Sequence, residues 1–239
     1  MSVRILGISG SPRHGATEYS VREALRAAGE VKGVETAFIG LAGKRISNCL
    51  HCDRCLEEKQ GICPVFRDDV NELLPLISSA HGFIIGTPVY SMNTSGLLQN
   101  FLNRFRPIGV NMQGHNKYIR VAGGIATGGM RNGGSEMALA AINNFALVSG
   151  MTVVSGGTAA YNGASVWARN RQEPGAREDK AGMNSVRVVG RRVAVMTKIL
   201  VAGYNVVQSE IPEHLLAGFG SPEEMAEFYQ NFVSTSTEP

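Results

Sequence analysis

The 239-residue chain is 44% apolar, which favours one large α/β domain over 1–239 rather than two small ones. Its 23 Lys and Arg against 20 Asp and Glu leave a net charge of only +3, a field too weak to argue for nucleic acid or an anionic membrane as partner. No apolar run approaches a membrane span and nothing at the N-terminus resembles a secretory signal, so the expectation is a soluble cytoplasmic protein with reduced thiols.

Taken in chain order, strands alternate with helices. Val3–Ile8 is a short apolar run that stops at Ser9-Gly10-Ser11-Pro12. Val21, Ala24, Leu25 and Ala28 then recur at helical spacing, with Ser20 and Glu23 placed like a capping box slightly inside the start. Val34–Ile39 reads as a second strand. Beyond a cysteine-bearing loop, Val70, Leu73, Leu74 and Ile77 make an amphipathic helix opening at Asp68-Asp69, whose charges suit a helix N-terminus. Phe83–Ile85 is a buried strand ending at Gly86-Thr87-Pro88, and Leu97, Leu98, Phe101, Leu102 and Phe105 form the next helical face. The fourth predicted strand is Tyr118–Ile125, stopped by Thr127-Gly128-Gly129. A helix through Met137–Val148 and a strand over Met151–Val154 complete the alternation. Near-continuous apolar strands with helices between them predict a parallel sheet covered on both faces. Ligands in such folds sit outside the carboxyl ends of the strands.

The strand-end loops therefore belong together. The first, Ser9 to Thr17, packs hydroxyls, glycines and Arg13 between a strand and a helix N-terminus, an arrangement suited to a phosphate. It lacks the G-K-[ST] ending of a Walker loop and the spaced glycines of a dinucleotide fingerprint, and a plain connecting turn is the alternative. The loop after the third strand, Thr87-Pro88-Val89-Tyr90-Ser91-Met92-Asn93, combines a rigid proline with apolar and aromatic area fit to lie along a flat ring. After the fourth strand, Thr127-Gly128-Gly129 and Gly133-Gly134 let backbone approach a ligand closely. Phosphate-like first and ring-like afterwards, the three describe a flavin mononucleotide (FMN) site.

All four cysteines fall within fifteen residues, as Cys49, Cys52, Cys55 and Cys63 followed by Pro64. Three thiolates spaced by two residues, with a fourth just beyond, follow the ligation logic of a [4Fe-4S] cluster. Structural zinc sites favour two separated C-x2-C pairs, and disulfides within so short a run would close cramped loops. Zinc and plain redox thiols stay open as alternatives. His51 lies inside the run, where it either tunes the cluster or is an exposed loop histidine.

Gly10-Ser11-Pro12-Arg13, the segment Gly86-Thr87-Pro88-Val89-Tyr90 and the four-cysteine run between them resemble the iron–sulfur flavoproteins, relatives of the NADPH-dependent FMN reductases. Gly61-Ile62-Cys63-Pro64 with Asp68-Asp69 is similar to the family's stretch leading into its second helix. The likeness spans roughly Met1 to Gly157, and it implies a flavodoxin-like sheet of order 2-1-3-4-5. It implies FMN phosphate contacts from Ser9, Ser11, Pro12, Arg13 and Thr17. It also implies ring contacts from Thr87, Pro88, Val89, Tyr90 and Met92, and from Thr127, Gly128 and Gly129. Cluster ligation by the four cysteines and a homodimer or homotetramer are implied with them, the cluster of one subunit lying near a neighbour's flavin.

The departure is the C-terminal part, 158–239. Tyr161–Gly190 is polar and rich in arginine (Arg169, Arg171, Arg177, Arg187) before turning helical along Val186, Val189, Val193, Met196 and Leu200. One reading is a surface excursion followed by the last sheet-covering helix. The other is a lid or subunit-contact arm, with Trp167 and the arginines near an anionic substrate. The leading functional expectation is an FMN-dependent oxidoreductase moving electrons between flavin, cluster and a redox partner such as ferredoxin or NAD(P)H. A flavin dehydrogenase of a small organic acid and a non-catalytic electron carrier with structural cysteines are the alternatives.

Overall fold

The computed structural model describes residues 2–58, 60–111 and 117–234; Met1 and residues 235–239 of the expected single domain lie outside the described residues. Strand β1 (Val3–Ser9) leads through helix α1 (Ala16–Gly29) to β2 (Val34–Gly40). The cysteine loop follows, containing the one-turn helix α2 (Arg54–Glu57), and then α3 (Val70–Ser78) and β3 (Gly82–Pro88). Helices α4 (Gly96–Asn103) and α5 (Arg106–Asn111) precede β4 (Val121–Gly128), α6 (Ser135–Val148) and β5 (Thr152–Val153). Then come β6 (Ala164–Trp167), α7 (Gln172–Glu178), the long α8 (Lys180–Val207), α9 (Glu213–Leu216) and α10 (Pro222–Ser234).

The sheet is parallel with order β2-β1-β3-β4-β5, as the family resemblance implies. Strand period 2 divides its residues between two faces. Leu6 and Ile8 of β1 with Phe83 and Ile85 of β3 pack against α3, α4 and α6 through Leu74, Ile77, Leu98, Phe101 and Ile142. Ile5, Ile84, Val121 and Ile125 face the other way, onto Val21, Ala24 and Leu25 of α1 and Val186, Val189 and Val193 of α8. Helices α1 and α8 approach so closely that a Cβ on Gly190 would run into the backbone of Ala24.

Three local expectations are corrected. Helix α1 begins at Ala16 with Gly15 at its N-cap, so Ser20 and Glu23 are not a capping box: Ser20 is fully buried, its hydroxyl against the Met183 sulfur at 3.9 Å. Tyr118 belongs to a 3-10 turn, Lys117–Ile119, and the fourth strand starts only at Val121, while Arg120 buries its guanidinium on the Ser78 carbonyl at 2.6 Å. The fifth strand is just Thr152–Val153, paired with Val121 and Ala122. The upper half of that place in the sheet is filled by β6, an unexpected strand pairing Ile125 to Gly128 of β4. The polar excursion thus returns to the sheet before α8 covers it.

Candidate functional site

Loops from β1, β3 and β4 meet at the carboxyl end of the sheet. Gly10 donates to the Gly86 carbonyl at 2.8 Å and Val89 to the Thr127 carbonyl at 3.0 Å, so the three loops are laced strand to strand. In the first, Ser9 and Ser11 are buried and Pro12 and Arg13 exposed. The Ser11 hydroxyl donates to the Arg13 carbonyl at 2.7 Å and accepts from the Arg13 N–H at 3.0 Å, folding the loop back on itself. Gly15 supplies no side-chain cap to α1, which leaves the first-turn N–H groups to be met by something else. Thr17 is buried, with its hydroxyl 2.5 Å from that of Thr127. Thr127 in turn reaches the Thr87 carbonyl at 3.4 Å, so these threonines brace the floor of the site.

The second loop is a tight turn. Tyr90 and Asn93 exchange backbone hydrogen bonds at 3.0 and 2.9 Å around Ser91 (φ 50°) and Met92 (φ 63°), both left-handed. Tyr90 is 39% and Met92 60% exposed, so the turn presents apolar surface. Gly134 (φ 91°) packs under it, and a Cβ there would lie 2.8 Å from Met92. Two further residues organise these loops, of which the sequence reading singled out Trp167 and missed Ser95. Ser95 caps α4 by accepting from Leu98 N–H at 3.1 Å, donates to the Gly10 carbonyl at 2.5 Å, and gives its own N–H to Thr87 at 3.0 Å. Its position just ahead of the Leu97-Leu98 run was the available signal. Trp167 ends β6 with its indole N–H on the Gly129 carbonyl at 2.9 Å, between the guanidiniums of Arg131 and Arg169 at 4.5 and 4.3 Å from the ring.

The cysteine loop leaves the sheet at its β2 edge. Cys49, Cys52, Cys55 and Cys63 all line one pocket, together with Leu50, Pro64, Phe66 and Arg106. Among the described residues, no group of three or more His, Cys, Asp or Glu side chains is gathered so as to hold a metal ion. Burial pushes the Cys55 thiol up to about 11, against the pull of the Arg106 cation and reinforced by the neighbouring Cys63, Cys49 and Cys52. Asn71 clamps the last cysteine, accepting from Cys63 N–H at 3.0 Å and donating to the Cys63 and Phe66 carbonyls at 2.9 and 3.1 Å.

The two ends of this loop are tied by a buried ion pair. Arg104, following α4, sets its fork on the Asp68 carboxylate at 2.7 and 3.2 Å and donates to the Ser47 carbonyl at 3.1 Å. Asp68 also accepts from Ser47 N–H at 2.7 Å. Burial raises the Asp68 carboxyl, but the Arg104 fork and the Ser47 N–H outweigh it and hold the group below its ordinary range. Ser47 precedes the first cysteine and Asp68 follows the last, so one guanidinium closes the neck of the loop.

Comparison with known proteins places this architecture. The family model for NADPH-dependent FMN reductase matches residues 3–165. An iron–sulfur flavoprotein of Methanocaldococcus jannaschii is 41% identical over 202 residues, covering 83% of this chain and 99% of its own. One from Archaeoglobus fulgidus is 40% identical over 195 residues, covering 80% and 96%. Among solved structures, a flavone reductase superposes with a TM-score of 0.58 at 22% identity, over 82% of this chain and 63% of its own. A WrbA-like flavodoxin of Agrobacterium tumefaciens gives 0.57 at 15% identity, over 83% and 99%. Those two share the fold; the sequence relatives and the family model carry the kinship. The chain belongs to the iron–sulfur flavoproteins of the NADPH-dependent FMN reductase family.

Proposed function

We propose that this protein is an FMN-dependent oxidoreductase that holds a [4Fe-4S] cluster on Cys49, Cys52, Cys55 and Cys63. The observation that carries the reading is the shared pocket of all four cysteines in a chain whose β1, β3 and β4 loops are laced together at the carboxyl end of the sheet. When bound, FMN takes up two electrons as hydride and releases them singly, while an iron–sulfur cluster passes one at a time. The residues then divide as follows. Ser9, Ser11, Pro12, Arg13 and the bare N-terminus of α1 receive the phosphate, with Thr17 bracing from beneath. Thr87, Pro88, Val89, Tyr90 and Met92, together with Thr127, Gly128 and Gly129, would hold the ring.

The buried Thr17–Thr127 pair and the Ser95 cap suit such a site, because they fix loop geometry without exposing competing hydroxyls. Self-association as a homodimer or homotetramer fits the position of the cysteine loop at the β2 edge, where Cys52 is exposed. Ferredoxin or NAD(P)H is the redox partner we assign. A second reading, oxidation or reduction of a small organic anion, is favoured by one observation: Arg131 and Arg169 both lie over the ring of Trp167, whose indole N–H meets the Gly129 carbonyl of the β4 loop. Among the described residues no helix is long and apolar enough to cross a membrane.

Anaerobic purification followed by visible spectroscopy and assay of iron, zinc and FMN tests the reading. Stoichiometric FMN with about four irons per chain is expected. Stoichiometric zinc without iron would overturn it.

A further inference from the structure

Two residues between the cysteines hold the left-handed backbone conformation, His51 at φ 54° and Asp53 at φ 56°. Neither is glycine, so each stands against its own backbone preference and persists only where its surroundings fix it. They alternate with the thiols in the order Cys49, His51, Cys52, Asp53, Cys55, and each reversal sets the direction in which the flanking cysteines leave the chain.

One side chain reaches both. Arg106, the first residue of α5, donates from Nη1 to His51 Nε2 at 2.8 Å and from Nη2 to the Asp53 carboxylate. The Asp53 side chain is 5% exposed and that of Arg106 19%, so this is a sheltered contact rather than a solvated surface pair. Arg106 also lines the pocket alongside all four cysteines. Arginine's planar fork spans two acceptors at fixed separation, which a lysine ammonium does not.

We propose that Arg106 is the positioning residue of the cysteine loop: by pinning two left-handed residues at once it spaces Cys49, Cys52 and Cys55, and it sets a fixed positive charge beside their thiolates. The inference rests on the iron–sulfur reading above. It assigns the loop's shape to a residue more than forty positions beyond the last cysteine.

The test compares wild type, Arg106→Lys, Arg106→Met, and Arg106→Met combined with His51→Gly and Asp53→Gly, all prepared anaerobically. Iron and sulfide per chain, FMN per chain, far-ultraviolet circular dichroism and the cluster midpoint potential are measured. Both single variants lose at least half their iron while keeping FMN and secondary structure. The combined variant regains iron, because glycine adopts the left-handed conformation without support. The iron retained by Arg106→Met alone shows a potential more negative than wild type, since the missing cation no longer favours the reduced, more negative cluster. Arg106→Met with wild-type iron and potential would overturn the inference, as would iron loss that the glycines leave unrepaired. Wild-type protein devoid of iron would instead overturn the cluster reading and this inference with it.

Discussion

Replacing Arg104 with Met removes the fork that closes the neck of the cysteine loop and leaves the Asp68 carboxylate buried beside an apolar chain. The side chains of the pair are only 2% and 6% exposed, so water does not readily repair the loss. Breaking a buried pair by removing one partner costs about 3–5 kcal/mol. In a chain of this size each kcal/mol shifts Tm by roughly 2–4 °C, so the expected fall is about 6–20 °C. Calorimetry or circular dichroism melts of Arg104→Met, Asp68→Leu and the double variant give the coupling directly. The double variant should lie closer to wild type than the sum of the singles, because an apolar pair of similar volume carries no orphaned charge. The pH dependence has a fixed sign. Asp68 is depressed in the folded state, so its contribution is complete above the unfolded value of about 3.9 and drains away as pH falls through the lower folded value. Single variants that each cost under about 1 kcal/mol, or costs that simply add, would refute the account.

Ser11→Glu sets a carboxylate against the proposed phosphate position and should weaken FMN binding well over tenfold by fluorescence titration, since charge-assisted hydrogen bonds are worth about 1.5–3 kcal/mol each. Unchanged affinity would move the phosphate elsewhere. Cys52→Ala should empty the protein of iron while FMN stays, as measured by metal assay and the flavin absorbance band. Gly134→Ala places a Cβ in the left-handed region and 2.8 Å from Met92, so it should cost at least about 1–2 kcal/mol in a denaturant titration. A neutral result there would show that the turn yields freely.

Much of the sheet was legible because a parallel strand buried on both faces writes itself as an unbroken apolar run. Phe83–Ile85 reads this way, and Val3–Ile8 does so but for Arg4. What escaped notice was structure made by context. Ala164–Trp167 has no long apolar run, and it becomes β6 because the two residues of β5 leave half of the slot beside β4 open. The start of α1 was misplaced because Gly15 has no capping side chain to signal it, while Ser20 and Glu23 mimic a box of which the core buries Ser20. Candidate loops were found by residue type, yet Thr17 shows that type does not fix role: its hydroxyl faces Thr127, a partner 110 residues away.

The same limit explains why the cysteines were visible and their supports were not. Ligand spacing is local in sequence, whereas Arg104 meets Asp68 across 36 positions and Arg106 meets Asp53 across 53. Arg104 caps the far end of α4 and Arg106 opens α5 two residues on, while Ser95 sits at the near end of α4 against the Gly10 carbonyl. Eight helical residues make a strut about 12 Å long between the β1 loop and the neck of the cysteine loop. Its Leu98, Phe101 and Leu102 are locked in the core, so neither end shifts without disturbing that packing. One rigid helix therefore sets the spacing between the two candidate cofactor sites of this chain, and does so with residues that belong to neither motif.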